Sequence, residues 1–206
     1  MKKMFIIIIL FAVQLSAQTV YELPFASEGN QIELAVANTG NAALDNITVN
    51  VESTPEWINF KHCQILITEV GGGSEVPALF EFAVDKRAPV GEEGTIIFKI
   101  KNPTGDQWSK EINVTVSKPV NYELSQNYPN PFNPSTKIEF VIPDDEKVTI
   151  KVFDILGREV KTLLDEFKEA GHHEVEFNAS RLASGTYIYR LNSGSFSQIK
   201  KMQLIK

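Results

Sequence analysis

The residues able to do chemistry in this chain are few and scattered. Histidine occurs three times, at His62, His172 and His173. His172 and His173 are adjacent, so on a strand they point to opposite faces, the wrong arrangement for a shared metal. Asp144-Asp145-Glu146 gathers three acidic side chains. It lacks the alternating spacing of a calcium loop and reads as a solvated turn. The single cysteine, Cys63, has no disulfide partner within the chain and is expected to be a buried, inert thiol. Gly71-Gly72-Gly73-Ser74 has no Lys or helix after it, so it reads as a flexible loop and not as a phosphate cradle. Neither a G-x-S-x-G nor an H-E-x-x-H string is present. No catalytic residue, metal ligand or cofactor is therefore expected, and the chain is not expected to be an enzyme.

The elements around these residues say more. The 206 residues suffice for one or two domains. Hydrophobic residues make up 43% and charged residues 22%, an ordinary globular balance. The net charge is −6 and no basic block occurs, which disfavours a nucleic-acid partner. Lys2 and Lys3 precede an apolar core from Met4 to Val13, and Ala17 supplies the small residue that precedes a cleavage point. Residues 1–17 are therefore expected to be a removed secretory signal peptide. The core is too short for a transmembrane anchor, which takes about 20 residues.

From there on the apolar period is two. Ile32, Leu34 and Val36 alternate, as do Ile47, Val49 and Val51. Further short runs lie at 57–60, 64–68, 78–84, 94–101 and 108–116, separated by turn residues. A second set follows the junction Ser117-Lys118-Pro119-Val120-Asn121. It includes 136–142, 147–154, 158–164, 172–178, 185–192 and 196–205. Only Leu163 to Ala170 reads as a helical turn. The predicted fold is all-β, with two tandem Ig-like β-sandwiches at 18–118 and 119–206.

One weaker set of strings and one stronger set go beyond class. In the first domain, Val36-Ala37-Asn38-Thr39-Gly40-Asn41, Pro55-Glu56-Trp57 and Pro89-Val90-Gly91 resemble bacterial Ig-like modules of the CARDB kind. That resemblance implies a spacer or adhesion module. In the second domain, Asn130-Pro131-Phe132-Asn133-Pro134 is an uncommon run. Its prolines suit an extended, turn-rich lead-in, and Phe132 offers an apolar plug. Phe153 to Val160 reads as a hairpin turned at Gly157. Leu182-Ala183-Ser184-Gly185-Thr186-Tyr187 places a glycine where positive φ or close packing beside Tyr187 would require one. Lys201-Met202 and Lys206 form a basic tail.

In this order the four strings resemble the C-terminal sorting domain of type IX secretion substrates, over residues 122–206. The resemblance implies a protein sent through the periplasm to the cell surface or the medium. It also implies as partners the type IX translocon and a cell-surface sortase, with either release or attachment to an anionic surface polysaccharide. The candidate signal residues are Asn130, Pro131, Phe132, Asn133, Pro134, Gly157, Gly185, Tyr187, Lys201, Met202 and Lys206. The alternative is a permanent surface adhesion or structural module without such processing.

Overall fold

The structure, a computed structural model, describes residues 19–206 and the backbone of residues 5–8. The leader expected at 1–17, with its cleavage point, otherwise lies outside the described residues. Among those residues every regular element is a strand, as a period of two along the chain requires. The chain divides into two compact units, Met1–Ser117 and Lys118–Lys206.

The first unit holds β1 (Phe5–Ile8), β2 (Val20–Leu23), β3 (Asn30–Ala37), β4 (Leu44–Ser53), β5 (Ile58–Phe60), β6 (Gln64–Val70), β7 (Glu75–Val84), β8 (Glu93–Lys101) and β9 (Gln107–Val116). One sheet runs β1-β3-β7-β5 and the other β2-β9-β8-β4-β6. Neighbours are antiparallel except β1 on β3 and β2 on β9. Every second residue faces inward, so Ile32, Leu34, Phe80, Phe98, Ile112 and Val114 form one buried core between the sheets. Trp57 packs against that core, whereas Trp108 is 51% exposed.

Two expectations for this unit fail. Cys63 is exposed and not buried. It sits in the bend before β6, where its carbonyl accepts from Val51 N at 2.8 Å. The Gly71 to Ser74 segment is a hydrogen-bonded turn and not a loose loop. Gly73 N donates to the carbonyls of Asn38 and Gly40, each at 2.9 Å. A Cβ on Gly72 would collide with the Asn41 backbone. The glycine there permits close packing of two turns.

The second unit holds β10 (Glu123–Leu124), β11 (Ser135–Ile142), β12 (Glu146–Phe153), β13 (Glu159–Lys168), β14 (Gly171–Asn178), β15 (Gly185–Ser193) and β16 (Phe196–Leu204). Its sheets are β10-β11-β14 and β13-β12-β15-β16. Ile138, Phe140, Val148, Ile150, Phe177, Tyr189 and Leu191 lie between them. The helical turn expected at 163–170 is absent: β13 pairs with β12 along its length. The register shifts between Ile150 and Lys151, whose partners are Leu164 and Thr162. The bulge leaves Leu163 as an extra residue, so two leucines stand side by side and the alternation that marks a strand is broken in the sequence.

Candidate functional site

The segment from Gln126 to Pro134 binds the sandwich together across its length. Two of its peptide bonds, Tyr128-Pro129 and Asn130-Pro131, are cis. Its anchor is a buried polar cluster. Asn127 is 2% exposed, and its side-chain amide donates to Pro129 O and to Thr136 Oγ1, each at 3.0 Å. Thr136, also buried, donates to Pro129 O at 2.8 Å. Tyr189 on β15 completes the cluster. Its hydroxyl accepts from Asn127 N at 2.9 Å and donates to Ser125 O at 2.8 Å. Burial pushes that hydroxyl up to about 12, because the interior disfavours a phenolate.

From this anchor the segment reaches β16, at the edge of the four-stranded sheet. The Gln126 amide donates to Lys201 O at 2.7 Å. Asn130 Oδ1 accepts from Gln203 N at 2.9 Å. Phe132 N donates to Gln203 O at 2.9 Å, and Ile205 N donates to Phe132 O at 3.0 Å. Phe132 and Leu204 thereby form a parallel bridge. The Phe132 ring, 1% exposed, packs against Phe177 at 5.9 Å between centroids. Side-chain amides and one residue of backbone thus occupy hydrogen-bonding groups that an edge strand would otherwise present to other chains.

The other predicted residues gather around the same strand. Gly185 pairs with Leu204, the residue bridged to Phe132. Its φ is +157°, and a Cβ there would meet nothing within 4 Å. The glycine therefore serves backbone conformation, and the close-packing explanation fails. Tyr187 is buried and donates to Ala183 O at 2.8 Å, closing the loop before β15. Met202 is buried, Lys201 is exposed, and Lys206 Nζ donates to Ser180 O at 3.1 Å. Asn133 and Pro134 are exposed, and Pro134 O accepts from Ala179 N at 2.9 Å.

Gly157 sits in the β12–β13 turn with φ of +78°. Asp154 Oδ1 organises that turn by accepting from Leu156 N at 2.9 Å and Arg158 N at 3.0 Å. Ile155 and Leu156 stand out at its tip, 72% and 74% exposed. The turn joins the rest through a row across the outer face, where Phe153 pairs with Ile188 and Ile188 with Lys201. Arg190 lies over the Phe153 ring at 5.0 Å.

The sequence reading missed Gln126, Asn127, Thr136 and Tyr189. Gln126 and Asn127 look like ordinary turn residues, and Thr136 like an ordinary strand residue. Tyr189 alone carries a signal, since a tyrosine in a core-facing register needs a partner for its hydroxyl. The histidines stay apart in function: His173 Nε2 lies 2.7 Å from Glu169 O, and His172 Nε2 lies 3.4 Å from Glu139 Oε2. No group of three metal-ligating side chains occurs among the described residues.

Residues 126–206 match the family model of secretion system C-terminal sorting domains. The second unit is a type IX sorting domain. The match begins at Gln126, the first residue of the segment that clamps β16. A sorting domain marks its chain for export to the cell surface or the extracellular space and implies dealings with the secretion system. No curated protein matches the sequence. Among solved structures, dimeric latent PorU from Porphyromonas gingivalis is 13% identical with a TM-score of 0.34, covering 93% of this chain and 19% of its own. The secreted serine protease VesC from Vibrio cholerae is 11% identical with a TM-score of 0.31, covering 90% of this chain and 50% of its own. This chain thus spans well under two thirds of either.

Proposed function

We propose that this is a non-enzymatic protein of the cell surface or medium, carried there by its sorting domain through the type IX translocon. The observation that supports this is the meeting of the signature strings in one folded feature. Asn130 and Phe132 are hydrogen-bonded to Gln203 and Ile205, and Leu204 pairs with Gly185. The address is then a surface assembled from both ends of the domain, and a linear tag alone does not make it. A cell-surface sortase is the partner that would remove the domain. Release or attachment to an anionic surface polysaccharide follows. The first domain is cargo, a spacer or adhesion module of the Ig-like kind.

The test is transplantation. Residues 118–206 are placed after a signal peptide and an unrelated β-sandwich in a type IX-competent cell. The expected outcome is the passenger at the surface or in the medium. A folded fusion that stays in the periplasm would end the reading. Intact mass of the exported natural protein reports removal of the domain.

A further inference from the structure

Between the edge strands β13 and β14 a mouth of about 410 Å³ opens beside the core of the sorting domain. Phe177, fully buried, lies at its base, with Val160 and Leu182 among its walls. Lys161 and Arg181 line it, together with the polar Ser180, and no acidic residue does. The Lys161 ammonium stands 5.8 Å from the centre of the Phe177 ring. Lys206 reaches the same loop through Ser180 O.

Only some cations of this domain are ion-paired, and among the described residues Lys161 and Arg181 share the unpaired state with Arg190, Lys200, Lys201 and Lys206. Elsewhere in the domain Lys118, Lys147, Lys151, Lys168 and Arg158 each sit on an acidic side chain, at 2.7 to 3.4 Å. Among the described residues Lys161 and Arg181 have no such partner. Two uncompensated cations beside a partly apolar recess make a positive potential with a low-dielectric wall behind it. The edge of β13 facing away from β12 carries no neighbouring strand, so its backbone groups there are open to an extended chain.

We infer that this mouth is a binding site for an acidic side chain carried on an extended peptide. The guanidinium of Arg181 presents the planar fork that a carboxylate accepts in two hydrogen bonds. Lys161 adds a second charge, and Val160 and Leu182 accommodate the methylenes that precede the carboxylate. The β13 edge supplies main-chain pairing along the peptide. This site lies at the β13 end of the four-stranded sheet, away from the β16 edge, although Phe177 at its base also touches the Phe132 ring, and it stands whether or not the export reading holds.

The test is an NMR titration of the intact, isotopically labelled protein with three probes. These are a blocked peptide of alternating Val and Glu, its Val and Gln counterpart, and inorganic phosphate. The acidic peptide should shift the amides of Lys161, Ser180 and Arg181 and bind at least about tenfold more tightly than the Gln peptide. The double variant Lys161→Gln, Arg181→Gln should keep its thermal midpoint and lose that binding. The inference is overturned by absent shifts, by equal affinity for the Gln peptide, or by binding that survives the double variant. Phosphate binding as tightly as the acidic peptide overturns it too, because the site would then be a generic anion patch.

Discussion

The sorting domain closes one flank with its own chain and leaves the other open. Along β16 the segment from Gln126 to Phe132 supplies amides and backbone that take up edge groups, and a phenyl ring fills the space behind them. Along β13 no strand or lead-in is laid down, and the recess beside it is lined by Lys161 and Arg181. A sandwich of seven strands has edges on both sides, and each is a liability unless covered or charged. Here one edge is covered and the other is charged. Substitutions at the covered edge should therefore cost stability first, and substitutions at the charged edge should cost peptide binding with the fold intact. Substitutions on the two flanks should separate along that line.

The largest effect is expected from Phe132→Ala. Removing a fully buried aromatic ring costs about 3–5 kcal/mol. Both tryptophans, Trp57 and Trp108, belong to the first unit, so tryptophan fluorescence reports that unit alone. Near-UV circular dichroism of tyrosine, with four of the five tyrosines in the second unit, reports mainly the sorting domain. In urea the tyrosine transition should move to lower denaturant while the tryptophan transition stays put. A joint shift would show that the clamp holds more than its own domain.

Tyr189→Phe tests the anchor beneath the clamp and should have a smaller effect. It removes two hydrogen bonds, for about 1–2 kcal/mol at neutral pH. It also changes the alkaline limb. The folded hydroxyl titrates at about 12, above the ordinary value near 10. A raised folded value means that stability is fully present below about pH 10 and lost as pH rises toward 12. The natural protein should therefore lose sorting-domain stability over that window more steeply than the Phe variant. Parallel melting curves against pH would show that Tyr189 ionises without unfolding its surroundings.

The smallest structural effect belongs to Lys201→Gln with Lys206→Gln. Both side chains are exposed, so the midpoint should move by no more than about 0.5 kcal/mol. Secretion should nonetheless fall if the tail charge is part of the address. Normal secretion of this variant would move recognition onto the assembled clamp and Gly185.

Much of this architecture is readable from alternation alone. Ile138-Phe140-Ile142, Val148-Ile150-Val152 and Tyr187-Tyr189-Leu191 each place three inward residues at a period of two, and each is a buried strand. The pattern fails where register breaks, at the bulge beside Leu163. It also fails where burial depends on a neighbour distant in sequence. Cys63 sits next to strand-like residues and still faces solvent. The motif residues of the candidate site were visible as strings, but their mutual contacts were not. Nothing local to Asn130 specifies Gln203 as its partner, and nothing in Lys161 specifies Arg181. Those pairings are products of topology.

The bond from Gln203 to Asn130 spans 73 positions, so it is among the costliest loops in the domain to close. It also measures length. A nascent or truncated chain that stops before Gln203 leaves Asn130 and Phe132 with nothing to hold, however well its earlier strands pair. A fold of this design therefore closes only on a chain that reaches Ile205, and any receptor that recognises the closed clamp inherits that requirement.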